Sequence, residues 1–424
     1  MQHQKAESPA AFTPYQILIT VLITVLQFTI VLDFMVLAPL GDILMKSLHI
    51  SPSGFGIVVS CYAFSAGASG ILAAGFADKY DRKKLLLFFY SGFILGTLFC
   101  ALAGSYWTLL AARIVTGLFG GVIGAISLAI ISDLFAINQR GRVMGYVQMA
   151  MAGSQILGIP IGLYLANRWG WHSSFLMIVG IAAVAAVVIL YKMKPVTRHL
   201  TAQSDKNPFQ HLLHTLSNKS YQTGFIAVAF LSVGGFMMMP FSSSYLVNNI
   251  GISQEQLPLV FLFTGISSIA IMPVIGQLSD RMDRFVLFCI GSALAIVMIL
   301  IYTNIGPSSL LVVIVINMLM FMGIMSRVIP SMAMNTSIPD LQDRGAYMSI
   351  TSSLQQMAGG IAAICAGLIV RQAHPAEPLE HYDTLGMVVS VLIVVCCFLI
   401  YRVSVMIKNK ANVSVPPPLV AESH

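Results

Sequence analysis

Apolar residues run along this chain in long blocks, separated by brief polar breaks. A helix needs about 20 apolar residues to cross the hydrocarbon core of a bilayer. With that ruler the pattern predicts twelve spans, at 15–39, 54–77, 84–104, 107–132, 142–166, 172–193, 221–247, 258–279, 285–305, 308–331, 346–371 and 384–407. The connections are short except for residues 194–220, a polar stretch with Lys194, Pro195, Arg198, Lys206 and Lys219. The predicted class is therefore an all-α membrane protein of two six-helix bundles. Residues 1–14 form an N-terminal tail, 15–193 the first bundle, 194–220 a linker and 221–407 the second bundle. Residues 408–424, with Pro416-Pro417-Pro418, form a disordered tail. The first block exceeds a signal-peptide core and no small-residue cleavage pattern follows it, so it reads as a retained span.

The two bundles echo each other. Asp78-Lys79-Tyr80-Asp81-Arg82 follows the second block, and Asp280-Arg281-Met282-Asp283-Arg284 follows the eighth. Arg140-Gly141 precedes span 5 and Arg344-Gly345 precedes span 11. Small residues recur every four positions in span 5 (Ser154, Gly158, Gly162, Ala166) and in span 11 (Gly359, Ala363, Gly367). Such stripes let helix backbones approach closely. An internally duplicated membrane bundle points first to a secondary transporter.

Composition agrees with lipid as the main solvent: 57% of residues are hydrophobic and 9% charged, against about 25% charged in soluble domains. The net charge of +7 does not signal nucleic acid, because the cations form no dense basic stripe. It reports orientation instead. With the amino terminus inside, 17 Lys and Arg fall in inner segments, three in outer loops (Lys46, Arg168, Arg371) and three within spans (Arg113, Arg327, Arg402). This bias predicts a multi-pass protein with both termini cytoplasmic. The six cysteines lie in apolar stretches, without metal-ligand spacing, and read as packing thiols.

These features resemble the major facilitator superfamily, in particular its twelve-span drug/proton antiporters and sugar-efflux-like bacterial members. The resemblance covers nearly the whole chain. In the loop after span 2, Asp78, Lys79, Arg82 and Lys83 match the family pattern, while Ala74 and Asp81 replace its two glycines. The second copy keeps Gly276, Asp280, Arg281 and Arg284, with Asp283 in the second glycine position. In span 4, Arg113 and Gly117 match, and Thr116 stands where Gln is usual. In span 5, Gly158, Pro160 and Gly162 resemble the antiporter-type motif with its proline one place late, followed by Gly170-Trp171 and Phe175. The resemblance implies the major facilitator fold, alternating access, and a cavity lined by spans 1, 4, 7 and 10. It also implies a conformational latch in which Asp78 caps span 11 and Arg82 pairs with Asp133, with Asp280 and Arg284 as the second copy.

Asp33 is the one acidic residue deep inside a predicted span, among Val31, Leu32, Phe34 and Met35. A charge there costs about 2.5–3.5 kcal/mol on insertion scales, and burial favours the neutral acid. Two readings stand: a proton-carrying group, or a fixed ion pair that holds span 1 to a neighbour. Arg113 is the expected partner, since both residues sit roughly 9 Å below the outer edge at 1.5 Å rise per residue. Arg327, near the inner end of span 10, is expected to snorkel. Candidate substrate-cavity residues are Gln27, Gln155, Met238, Phe241, Asn248, Asn317 and Gln355; methionines and aromatics suit varied apolar ligands, yet they also serve as ordinary filler. No phosphate-binding loop, metal cluster or catalytic constellation is legible, so the chain reads as a non-enzyme without cofactor, driven by a proton gradient. The expected function is proton-coupled efflux of small amphipathic compounds by a monomer, whose partners are substrate, protons and the bilayer. The alternative is a sugar or metabolite carrier of the same fold.

Overall fold

The computed structural model describes residues 12–73, 80–197, 208–340, 343–374 and 377–413. Twelve of its helices are long and apolar enough to cross a membrane. Spans 1 to 4 are Pro14–Val36, Pro52–Ala73, Arg82–Ala101 and Tyr106–Leu134. Span 5 is built from Ile137–Gly153, Ser154–Gly158 and Ile159–Trp169, and span 6 is His172–Lys192. Span 7 is Lys219–Phe236 with the short continuation Ser242–Asn248. Spans 8 to 12 are Leu257–Arg281, Arg284–Asn304, Leu310–Asn335, Arg344–Ile369 and Tyr382–Val413. The face that carries both ends of the chain is here the terminal face, and the opposite one the far face.

Helix ends follow local chemistry. Thr13 and Gln16 form a capping box before span 1, as Ser105 and Thr108 do before span 4. Asp81 and Asp283, which replace family glycines, cap the helices that follow them. Asp81 accepts from the Lys83 amide, and Asp283 from those of Phe285 and Val286. A side-chain carboxylate thereby satisfies amides that the helix start would leave unpaired.

Two spans are interrupted at prolines. Pro160 has no N–H to give back along the helix, and the chain upstream widens into a π turn over Ser154–Gly158. Around Pro240, span 7 tightens into a single turn, Met239–Phe241, before the helix resumes. Three sequence expectations change. The linker carries a helix, Pro208–Ser217. Span 1 ends at Val36, and a separate short helix, Gly41–Leu48, follows it. The tail is helical as far as Val413, so residues 408–413 extend span 12 and are not disordered. Within this stretch Lys408 reaches Asp283 and Lys410 reaches Asp340, each at 2.7 Å.

The halves meet along two helix pairs, span 2 on span 11 and span 5 on span 8. Small residues set the closeness of the first pair. A Cβ on Gly56 would lie 2.6 Å from the Ala363 carbonyl oxygen, and one on Gly367 would lie 2.9 Å from that of Pro52. Ser60 donates across this seam to the Gly360 carbonyl at 2.7 Å. In a membrane, where lipid is as apolar as leucine, such close backbone packing is a main source of helix association.

Candidate functional site

Asp33 and Arg113 form a fully buried ion pair: Arg113 Nη1 donates to Asp33 Oδ2 at 2.8 Å, and both side chains are 0% exposed. Thr97 of span 3 donates to the other carboxylate oxygen at 3.3 Å. The guanidinium lies over the Tyr62 ring of span 2, 4.3 Å from its centroid. Spans 1, 2, 3 and 4 therefore converge on one ion pair. Two forces oppose there: burial favours the neutral acid, and the adjacent guanidinium favours the carboxylate.

The pair does not face open space. Phe34, the next residue, lines a small apolar pocket between the halves with Phe236, Met239, Pro240, Gly359 and Ala363. Tyr62 packs on Phe34 with centroids 5.5 Å apart, and Phe34 on Phe236 at 5.8 Å. An aromatic wall thus separates the charges from the central pocket, and it is made by both halves.

The span 5 motif serves span 1. Ser154 donates to the Phe28 carbonyl at 3.1 Å. A Cβ on Gly158 would lie 2.6 Å from Leu32, and one on Gly162 3.1 Å from Val36. The same stretch faces the other half, because a Cβ on Gly265 of span 8 would lie 2.9 Å from Ile156. Span 5 is thereby wedged between the span that bears Asp33 and the opposite bundle.

A second buried carboxylate, Asp42, sits on the far face, its side chain 1% exposed. Lys46 reaches it at 2.8 Å and Asn248 at 2.7 Å. Ser244 and Gln254 complete the shell. Nearby, Ser243 donates to the Ala38 carbonyl at 2.8 Å and Asn167 to the Gln254 carbonyl at 2.7 Å. Asp42 and Lys46 belong to the first half, Asn248, Ser244 and Gln254 to the second. Apart from Ser60–Gly360, every hydrogen bond that joins the halves among the described residues lies in this far-face cluster. The sequence reading did not single out Asp42. Its signal was present: an acid in the first turn of Gly41–Leu48 with Lys46 four residues on.

Other expected site residues scatter. Asn248 belongs to the far-face cluster, not to a central cavity. Met238 and Phe241 are buried in the apolar core, Phe241 against Phe55, and Met239 lines the pocket instead. Gln27 and Gln355 are half-buried. Gln155 is buried in the π turn of span 5. Asn317 donates back to the Val313 carbonyl of its own helix at 2.9 Å. Arg82 pairs with Asp133 at 3.4 Å, while Asp78 lies outside the described residues. Asp280 is exposed and Arg284 half-buried, and neither forms a salt bridge among the described residues. Arg327 does not snorkel. It is 2% exposed, donates Nε to Ser292 Oγ at 3.1 Å, and lies 5.5 Å from the Phe288 ring centroid.

Two six-span bundles meeting around a central seam, with a buried ion pair beside it, define a class of membrane transporter. The sequence matches the model of the Major Facilitator Superfamily over residues 23–364, and the chain belongs to that family. It is 22% identical over 373 residues to the uncharacterized MFS-type transporter YbcL of Bacillus subtilis (strain 168), covering 88% of this chain and 93% of that one. It is 22% identical over 258 residues to a probable sugar efflux transporter of Helicobacter acinonychis (strain Sheeba), covering 61% and 64%. Among solved structures, a bacterial homolog of the human lysosomal transporter Spinster, inward-facing and unoccupied, superposes with a TM-score of 0.74 at 14% identity, covering 94% of this chain and 99% of that one. The xylose transporter XylE from E. coli, in a partially occluded inward open conformation, gives 0.71 at 15% identity, covering 92% and 98%. Family and fold are those of transporters, not enzymes.

Proposed function

We propose that this chain is a proton-coupled exporter of small amphipathic compounds that works by alternating access. The observation that carries the reading is the fully buried Asp33–Arg113 pair. Its wall of Tyr62 and Phe34 touches Phe236 of the other half. Protonation of Asp33 releases Arg113, loosens that wall, and lets the halves rock. Return of the carboxylate restores the pair. The far-face cluster around Asp42 supports a state closed on that side, and the positive-inside bias makes the terminal face cytoplasmic. Arg82–Asp133, with Asp78, Asp280 and Arg284, would bias the same equilibrium at the terminal face.

The energetics suffice with one proton per cycle. Exchange of one proton for a neutral compound moves one net charge and gains about 2.3 kcal/mol per 100 mV, a ratio of about 50-fold. Exchange for a monovalent cation is electroneutral and draws on the pH difference alone, about 1.4 kcal/mol or about tenfold per pH unit. The apolar pocket beside Phe34, Phe236 and Met239 suits a ligand with an apolar body.

A second reading, sugar efflux, is favoured by the Helicobacter relatives, which are named probable sugar efflux transporters. Proteoliposomes with an imposed pH gradient distinguish the two. Lipophilic cations should move with the gradient and free sugars should not. Gradient-driven sugar movement without movement of the cations would select the second reading, and indifference of both to the gradient would remove proton coupling.

A further inference from the structure

Span 12 ends in three cations, and the protein answers two of them. Lys408 reaches Asp283 and Lys410 reaches Asp340, each at 2.7 Å. Arg402 has no carboxylate within salt-bridge distance among the described residues; its guanidinium lies 5.4 Å from the Phe398 ring centroid of its own helix. It is exposed on the outside of the bundle.

Its depth matters. At 1.5 Å per residue Arg402 lies about 30 Å along span 12 from Tyr382, roughly the thickness of the hydrocarbon core. That places it at the boundary between acyl chains and headgroups on the terminal face. An unmatched guanidinium at this level is driven toward the headgroups and toward an anion there.

The surroundings shape a receptor for one. Arg402, Val405, Met406 and Asn409 form one face of span 12 and, with Thr223 of span 7 and Tyr401, line an open groove. Arg402 and Asn409 offer donors at one end of the stripe and the other. Toward the far face the same helix exposes Phe398, Val394 and Val391. A polar cradle at headgroup depth that continues into an exposed apolar stripe matches a phosphate joined to acyl chains, not a free ion.

We infer that the groove between spans 7 and 12 binds the headgroup of an anionic phospholipid, with Arg402 as its charge partner. This site is separate from the transport pathway and does not rest on proton coupling.

The test uses the full chain in detergent, titrated with dioleoylphosphatidylglycerol or dioleoylphosphatidylcholine, with bound lipid counted by native mass spectrometry. The wild-type protein should retain phosphatidylglycerol in preference. Arg402→Gln should cut that preference about five-fold, one basic residue's share of attraction to an anionic surface. Arg402→Lys should keep most of it, and Lys408→Gln, which removes the same charge from an answered position, should leave it unchanged. Equal retention of the two lipids by the wild type would overturn the inference, as would an Arg402→Gln variant that binds phosphatidylglycerol like the wild type. Displacement of the lipid by millimolar inorganic phosphate would also overturn it, by identifying a free-anion site.

Discussion

Each half of the molecule carries one buried arginine in its fourth span, Arg113 in span 4 and Arg327 in span 10. Both have left water, yet they are held differently. Arg113 meets a carboxylate at 2.8 Å and the face of Tyr62. Arg327 meets the hydroxyl of Ser292 at 3.1 Å and the ring of Phe288. A duplicated fold has thus kept its architecture and divided its chemistry. Among the described residues the deeply buried carboxylates, Asp33 and Asp42, both lie in the first half, while the second half meets them with neutral donors and apolar walls. In the mechanism proposed above, the charge that appears and disappears is confined to one bundle, where it acts against an arginine.

The comparison breaks most easily at Arg113. Replacing it with Met strands Asp33 as an unpaired buried charge, and losing one partner of a buried pair costs about 3–5 kcal/mol. The melting temperature in detergent should fall steeply, and it should recover in the double variant Arg113→Met, Asp33→Asn. A melting curve like that of the wild type would show that the pair is not held as described.

Asp42 sharpens the contrast, because its carboxylate takes donors from both halves. Asp42→Ala removes the acceptor of Lys46, Asn248 and Gln254, with an expected cost of about 1–3 kcal/mol. The far face should open more often, read as faster labelling of a cysteine placed at Ser243 in an otherwise cysteine-free background. Unchanged labelling would exclude a gate there.

Arg327→Met should matter less. Arg327 bears the desolvation cost of a buried charge with no carboxylate in salt-bridge distance among the described residues to offset it, and an apolar side chain of similar volume relieves that cost. The melting temperature should hold or rise, opposite in sign to Arg113→Met. A large loss would mean that Arg327 has a hidden anionic partner and that the halves are more alike than they look.

The smallest effect is expected at Asp283. The hydrogen bond from Lys408, with the amides of Phe285 and Val286, holds its carboxyl below the usual carboxylate range. A group whose folded value is depressed stabilises the fold above its unfolded value, about 3.9, and loses that contribution as pH falls through the folded value. Between pH 6 and 3 the wild type should lose slightly more thermal stability than Asp283→Asn. Parallel curves would remove this contribution.

The spans were legible because apolar length is set by bilayer thickness, and all twelve stand close to where hydropathy places them. The breaks at Pro160 and Pro240 were visible as prolines, but whether a helix widens or tightens around one depends on its neighbours. The Asp33–Arg113 pair was legible from depth alone, as two opposite charges at equal distance from one edge. Asn248 misled, since an amide near a span end looks the same whether it faces a cavity or a gate. Asp42 escaped because it lies past the end of span 1, in a short helix that apolar length does not detect. The helical ending of span 12 was hidden for a similar reason. Its lysines meet Asp283 and Asp340, carboxylates that are distant in sequence.

The central claim is that proton movement is carried by Asp33. Proteoliposomes containing the wild type or Asp33→Asn, loaded with a transported lipophilic cation and given a pH gradient, test it directly. The wild type should drive efflux in proportion to the gradient, while Asp33→Asn should still bind and exchange the compound but ignore the gradient. Undiminished gradient-driven efflux by Asp33→Asn would contradict the account.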